Sequence, residues 1–357
     1  MTTYLLAGGG TAGHVNPLLA VADGLRARDP QDTVLVLGTR EGLETRLVPA
    51  RGYELLFVDK VPFPRRPNGA AAAFPTRFLR AVAQVRAHIR AHRVDVVAGF
   101  GGYASAPAYV AAARERVPFV VHEANARPGL ANVLGARRAA GVGVAFEGTP
   151  LKRSRVVGMP LRREIADLDR PGLRAEAARH FGLDPDVPTL LVFGGSLGAE
   201  RLNAAFAGAW QDVRDAGWQL LQAAGEKNEL RDPGVPGYAL LPYIDRMDLA
   251  FAVADVVVSR AGAATVSELS ALGIPAVYVP YAVGNGEQAL NAASAVRAGA
   301  ARLIPDAEFT SERVRSEVVP LLRDDAALEA MRQAAASVGS RTGTQQVIAM
   351  MDSALAG

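Results

Sequence analysis

One stretch limits the fold of this chain more than any other: Gly8-Gly9-Gly10-Thr11-Ala12-Gly13-His14, set between an apolar run at 4–7 and an amphipathic run at 15–26. Glycine tolerates the positive φ of a tight turn, and a helix that follows such a turn exposes its first N–H groups at the positive end of its dipole. The stretch predicts a strand, a glycine turn and a helix start, with a histidine at the mouth. The pattern recurs in the second half, where residues 189–193 lead into Gly194-Gly195-Ser196-Leu197-Gly198-Ala199 and a helical pattern at 201–214. Two such units predict two nucleotide-binding-type domains facing a shared cleft.

Short apolar runs rich in Val and Leu alternate with helical patterns along both halves. They fall at 33–37, 94–98, 119–122 and 141–145, then at 189–193, 220–223, 256–259 and 276–279. Apolar strands separated by helices predict parallel sheets buried on both faces, hence α/β domains of the doubly wound, Rossmann-like kind. At 357 residues, 50% of them hydrophobic, the chain can bury two ordinary cores. The expected division is a first domain at 1–160 and a second at 161–339, with a final helix at 340–357 packing back on the first. The linker falls at 157–170, where Gly158-Met159-Pro160 interrupts the pattern.

Composition removes several classes of function. The absence of cysteine excludes disulfides, thiolate nucleophiles and cysteine-ligated metals. Asp184-Pro185-Asp186 sits in a proline turn ahead of a strand, so it predicts a turn, and neither a metal nor another cofactor is expected. The net charge of +3 is spread over short pairs such as Arg65-Arg66, Arg137-Arg138, Lys152-Arg153 and Arg162-Arg163. That spacing fits solvated surface and isolated phosphate contacts, not a nucleic-acid groove. Two uncharged runs, 96–113 and 269–286, approach the length of a bilayer span, but glycine and proline break both. They predict strand-turn-helix and helix-turn-strand units of a soluble protein. The chain opens on a strand and a glycine loop, where a secretory signal would place basic residues and an apolar segment.

Two further segments carry chemistry. In Ser259-Arg260-Ala261-Gly262-Ala263-Ala264-Thr265-Val266-Ser267-Glu268, small residues turn a strand into a helix that bears a carboxylate one turn on. A carboxylate there can accept two hydrogen bonds from a ribose diol; an early acid also interacts favourably with the helix dipole. The run 280–292, with Glu287, Gln288 and Asn291, is a polar loop feeding a helix. Its amides both donate and accept, which suits sugar hydroxyls and ordinary capping alike.

Taken in order, the loop Gly8 to His14, the run His122-Glu123-Ala124-Asn125, the Gly194-Gly195-Ser196 loop, the 262–268 stretch and Glu287-Gln288-x-x-Asn291-Ala292 resemble the peptidoglycan N-acetylglucosaminyltransferases of glycosyltransferase family 28. These are inverting enzymes with the GT-B fold, two Rossmann-like domains facing a cleft. The resemblance implies transfer of GlcNAc from UDP-GlcNAc to the C4 hydroxyl of lipid I, undecaprenyl-diphospho-MurNAc-pentapeptide, forming lipid II without a metal or other cofactor. It places the donor mainly on the second domain, with Ile244 backbone groups at the uracil and Glu268 at the ribose. Ser196, the neighbouring loop amides and Arg162 would surround the diphosphate. Gln288 and the turn Ala263, Ala264 and Thr265 would hold the GlcNAc, with Val266 and Ser267 continuing the binding segment. The first domain would present Thr11, Ala12, Gly13, His14 and Asn125 to the sugar and acceptor. His14 is the candidate general base, since an imidazole ordinarily titrates near physiological pH, and bonding a phosphate or the backbone is its other possible role. Ala12, Ala124, Leu197 and Glu287 depart from the family's usual residues.

A polyprenyl-linked acceptor stays in the bilayer, so the resemblance also implies peripheral docking on the cytoplasmic face of the cell membrane. Phe63-Pro64-Arg65-Arg66-Pro67 and Phe74-Pro75-Thr76-Arg77-Phe78-Leu79-Arg80 mix aromatic and basic residues suited to that surface. Phe74, Phe78, Val82, Val85 and Ile89 also fall at helical spacing, which fits a stripe facing the core. Two other functions stay open. Gly8-x-Gly10-x-x-Gly13 with Gly38-Thr39-Arg40 satisfies the fingerprint of an NADP-dependent oxidoreductase, and a scaffold that binds a nucleotide-sugar without turnover would share the same loops.

Overall fold

The computed structural model describes residues 1–64, 69–194, 199–226, 228, 230–281 and 286–357. The chain divides into two compact units, Met1–Arg162 together with Arg341–Gly357, and Arg163–Ser340.

The first unit holds a seven-stranded sheet of β1 (Thr3–Ala7), β2 (Thr33–Gly38), β3 (Glu54–Phe57), β4 (Val96–Gly99), β5 (Phe119–Glu123), β6 (Gly141–Val144) and β7 (Ser154–Val156). Its spatial order is β3-β2-β1-β4-β5-β6-β7, parallel throughout. The second unit holds β8 (Thr189–Phe193), β9 (Gln219–Ala223), β10 (Tyr238–Leu241), β11 (Val256–Ser259), β12 (Ala276–Tyr278) and β13 (Ala301–Leu303). Its order, β10-β9-β8-β11-β12-β13, is again all parallel. Counted from its own first strand, each sheet has the 3-2-1-4-5-6 order of a Rossmann fold, and the first carries one strand more.

The strands form from apolar runs because both sheet faces are covered. In β1, Leu5 and Ala7 join a cluster with Leu35, Leu37, Val82, Val85 and Tyr109. Tyr4 and Leu6 point the other way, into a cluster with Leu18, Val21, Val36 and Val120. Each leucine removed from water in this way contributes roughly 1.5–3 kcal/mol. The second cluster also contains Val347, Ile348, Met350 and Met351 of the helix Gly343–Ala356, which lies in the first unit although it follows the second in the chain. Glycines let that helix approach: a Cβ on Gly24 would stand 2.7 Å from Thr344 Cγ2, and one on Gly141 would stand 2.5 Å from Met350 Cγ. Arg28 Nη1 donates to Asp352 at 2.7 Å across the same contact.

The helical pattern at 201–214 is two helices, Glu200–Ala207 and Trp210–Asp215. Tertiary partners take the carbonyls that an uninterrupted helix would use. Ser311 Oγ donates to the Ala205 carbonyl at 2.9 Å, and Arg315 Nη2 donates to the Gly208 carbonyl. The uncharged run at 96–113 comprises β4, a glycine turn and most of the helix Ser105–Glu115, and no helix among the described residues is long and apolar enough to cross a membrane. At Asp184-Pro185-Asp186 the Asp186 N–H donates to Asp184 Oδ1 at 2.9 Å, the hydrogen bond of an Asx turn.

Candidate active site

Strand order reverses between β1 and β4 in the first sheet and between β8 and β11 in the second. Loops leaving neighbouring strands there run to opposite faces of the sheet and open a crevice, which is where α/β folds place ligands.

In the first unit the two loops touch. Gly10, at φ +88°, turns the chain from β1 into the helix Ala12–Arg28, and Gly101 and Gly102, at φ +96° and +79°, turn it after β4. A Cβ at Gly102 would collide with the Gly9 carbonyl, so the crevice floor needs glycine on that side. His14 lies between the turns, half-buried in the first turn of its helix beside exposed Thr11 and Ala12 and half-buried Gly13. Its Nδ1 stands 3.2 Å from the Gly9 carbonyl and 3.2 Å from Thr11 Oγ1. Its opposite edge faces Gly101, where a Cβ would come within 2.9 Å of Cδ2. With Nδ1–H donated to the carbonyl, Nε2 keeps its lone pair and can take a proton.

The loop after β5 is held by Glu123, which is buried at the end of that strand. Its carboxylate accepts from the Asn125 N–H at 2.9 Å, the Gly129 N–H at 3.0 Å and Asn132 Nδ2 at 2.9 Å. Tyr109 in turn donates its hydroxyl to Asn132 Oδ1 at 2.7 Å. Half-buried Asn125 is thereby fixed at the C-terminal end of the sheet, the same end as His14.

Next to Glu123, His122 is 1% exposed, and burial pulls its pKa down to about 4 against a single favourable hydrogen bond to the Gly158 carbonyl. Its Nδ1 has no hydrogen-bond partner among the described residues. An unfolded histidine titrates near 6.5, so between there and about 4 the unfolded chain binds a proton that the folded one refuses. Stability is full above the upper limit and falls as pH drops through that window, by about 2 kcal/mol between pH 7 and 5 from this group. Urea titrations of His122→Gln should show a correspondingly weaker pH dependence than the parent; equal slopes would remove His122 from the account.

In the second unit β8 runs into Gly194, and Ser196 lies outside the described residues. After β11, extended Gly262 starts the helix Ala263–Leu272. Ala264, Thr265, Ser267 and Glu268 are half-buried on it, whereas Ala263 is 8% and Val266 1% exposed, so Val266 has only backbone to offer a ligand. Ile244, in the loop after β10, is 4% exposed and likewise can present only its backbone. Gln288, in the first turn of the helix Glu287–Arg297, accepts the Tyr281 N–H on Oε1 at 2.8 Å. Arg162 is half-buried at the close of the first unit's leading segment.

A cavity of about 980 Å³ opens in the second unit, with Gly194, Arg201, Arg260, Tyr281, Gln288 and Asp306 in its wall. Arg260 Nη1 donates to the Val279 carbonyl at 2.9 Å and to Asp306 Oδ1 at 2.5 Å, and its guanidinium lies 5.3 Å from the Tyr281 ring centre. Asp306 also accepts from Arg201 Nε at 3.2 Å. A fixed cation on this wall is a feature the sequence reading missed, although Arg260 lies within the run 259–268. Gly101-Gly102 is the glycine turn that the run 96–113 predicts; its place against Gly9 and His14 is what the sequence does not show.

Two all-parallel Rossmann-like sheets, each with a glycine turn into a helix at its switch point, define the GT-B architecture. Residues 4–144 match the glycosyltransferase family 28 N-terminal domain and residues 189–347 match the family's C-terminal domain. The chain belongs to glycosyltransferase family 28. Over 357 residues it is 61% identical to the UDP-N-acetylglucosamine--N-acetylmuramyl-(pentapeptide) pyrophosphoryl-undecaprenol N-acetylglucosamine transferase of Clavibacter sepedonicus, covering 100% of this chain and 97% of that one. The transferase of the same name from Mycobacterium leprae is 52% identical, over 97% of this chain and 87% of its own. Among solved structures, MurG of Acinetobacter baumannii is similar with a TM-score of 0.77 at 27% identity, over 99% of both chains.

Proposed function

We propose that this chain transfers GlcNAc from UDP-GlcNAc to the C4 hydroxyl of lipid I, inverting the anomeric centre from α to β and forming lipid II. The observation that carries the reading is the 61% identity, over the whole chain, to a transferase named for that donor and acceptor. His14 takes the proton from the attacking hydroxyl as the new glycosidic bond forms and the bond to UDP breaks. Negative charge then develops on the β-phosphate, where fixed donors stabilise the transition state most. Arg162, Ser196 and the amides of the loop after β8 are assigned there. Glu268 accepts the ribose hydroxyls, the Ile244 backbone meets the uracil, and Gln288 with the segment Ala263 to Ser267 holds the GlcNAc. Thr11, Ala12, Gly13 and Asn125 line the acceptor side.

The dinucleotide alternative meets an obstacle in the first glycine turn. The Gly10 N–H, which a pyrophosphate would need, already donates to the Glu44 carboxylate at 2.8 Å. UDP-GlcNAc at a hundredfold excess over its Kd should therefore stabilise the protein by about 2.7 kcal/mol, read as a raised Tm, while NADPH does nothing. A shift with NADPH alone, or no turnover of a lipid I analogue, would sink the assignment.

The same proposal includes docking on the cytoplasmic membrane face. In the helix Gly69–Ala91, Val82, Val85 and Ile89 are buried in the core and Phe74 and Phe78 pack against it, so the stripe faces inward. Towards its start, half-buried Phe74 and Phe78 stack with centres 5.5 Å apart, and Phe63 lies 5.4 Å from Phe74. Leu79, Arg77 and Arg80 beside them are exposed; Arg65 and Arg66 lie outside the described residues. Each basic side chain near an anionic surface contributes about 1 kcal/mol. Replacing Arg65, Arg66, Arg77 and Arg80 by Gln should reduce cosedimentation with anionic liposomes at low salt and leave UDP-GlcNAc affinity unchanged. Unaltered cosedimentation would reject this surface.

A further inference from the structure

Glu44 opens the helix Glu44–Ala50 and is 0% exposed. A carboxylate is seldom buried so completely without donors aimed at it. Oε1 accepts from the Thr39 N–H at 3.0 Å and the Thr39 hydroxyl at 2.9 Å, and Oε2 accepts from the Gly10 N–H at 2.8 Å. The chain makes room for it with three glycines, because a Cβ on Gly9, Gly38 or Gly42 would run into this side chain.

The Gly10 N–H belongs to the same planar peptide as the Gly9 carbonyl. That carbonyl stands 3.2 Å from His14 Nδ1. The carboxylate thus holds one end of a rigid plate whose other end meets the imidazole. Hydrogen bonds in series polarise one another, so an anion on the N–H makes the carbonyl a better acceptor. A carbonyl can only accept, which requires the proton on Nδ1. Thr11 Oγ1, also 3.2 Å from Nδ1, can accept or donate and so fixes neither tautomer.

We propose that Glu44 is a positioning residue for the transfer reaction, setting the tautomer and orientation of His14 through the Gly9–Gly10 peptide; this rests on His14 being the general base. Glu44 touches no substrate. Its work is to keep the Nε2 lone pair available. If the plate is released, the Thr11 hydroxyl can donate to Nδ1, the proton moves to Nε2, and the base is disarmed.

Glu44→Gln tests this, since an amide of the same size must turn its NH2 towards either the Gly10 N–H or Thr39. The full-length variant should lose about 10- to 100-fold in kcat, the range for a hydrogen bond to a charged group, with donor KM unchanged. The 15N spectrum of histidine-labelled protein, with the His14 signals identified by their loss in His14→Ala, should show the Nδ1–H tautomer in the parent and a shift towards Nε2–H in the variant. On a His14→Ala background, Glu44→Gln should add no further loss. An equal loss in both backgrounds with an unchanged His14 tautomer overturns the proposal. Parent-like kcat in His14→Ala would instead defeat the general-base reading, and the tautomer would then judge the Glu44 linkage by itself. Should Glu44→Gln fail to fold, Glu44→Asp keeps the charge but draws the carboxylate back from the Gly10 N–H. It should move kcat and tautomer the same way by a smaller factor, and no movement in either overturns the proposal.

Discussion

His14→Ala is expected to lower kcat by about 10²- to 10⁴-fold at saturating substrates, the usual contribution of a positioned general base. UDP-GlcNAc affinity should stay at the parent value. Both effects follow from where the imidazole sits. It is held by the Gly9 carbonyl on one edge and covered by Gly101 on the other, so its loss takes away a proton acceptor without unseating either turn. Isothermal titration with UDP separates this role from its rival. If UDP binds the variant much more weakly, His14 is a phosphate ligand and the base lies elsewhere.

Glu268→Ala should raise the donor KM about 10- to 100-fold with kcat little changed, the size expected for hydrogen bonds to a charged group. Ribose is bonded alike in ground and transition states, so losing its acceptor weakens binding without touching the chemical step. The helix Ala263–Leu272 is pinned by buried Val266 and Leu269, and Glu268 itself is half-buried, so truncation should leave the backbone in place. Glu268→Gln, which keeps one acceptor, belongs between the two. A large kcat loss at saturating donor would contradict a ribose role.

What could be read from the sequence followed burial. The runs that became β1, β2, β4, β5, β6, β8, β9, β11 and β12 are all interior strands, covered on both faces and therefore conspicuous. β3, β10 and β13 had no such run and lie on sheet edges, where one flank meets no neighbour and the side chains are partly exposed. β7, the remaining edge, has two of its three residues exposed and no apolar run to mark it. The same physics divides the site. A glycine turn is local, so Gly8 to His14 announces itself. Glu44 sits in Arg40-Glu41-Gly42-Leu43-Glu44, a stretch that reads as solvated, and its burial depends on Gly10, 34 residues away. Arg260 and Asp306 are separated by 46 residues, and no local pattern joins them.

The helix Gly343–Ala356 has a consequence for how the protein is made. Ribosomes deliver the seven strands of the first sheet early, yet Val347, Met350 and Met351, which complete one side of its core, emerge only after all of the second unit. The second unit, unbroken from Arg163 to Ser340, possesses its whole core sooner. The domain that starts first therefore finishes last. A stop codon after Ser340 and before the helix at Gly343 would leave a chain whose second half can mature while its first keeps an open apolar flank, the kind of surface that chaperones and proteases inspect. Folding of the His14 domain is in this way tied to synthesis of the other half, and a truncated product would reveal itself through the domain whose strands were all made first.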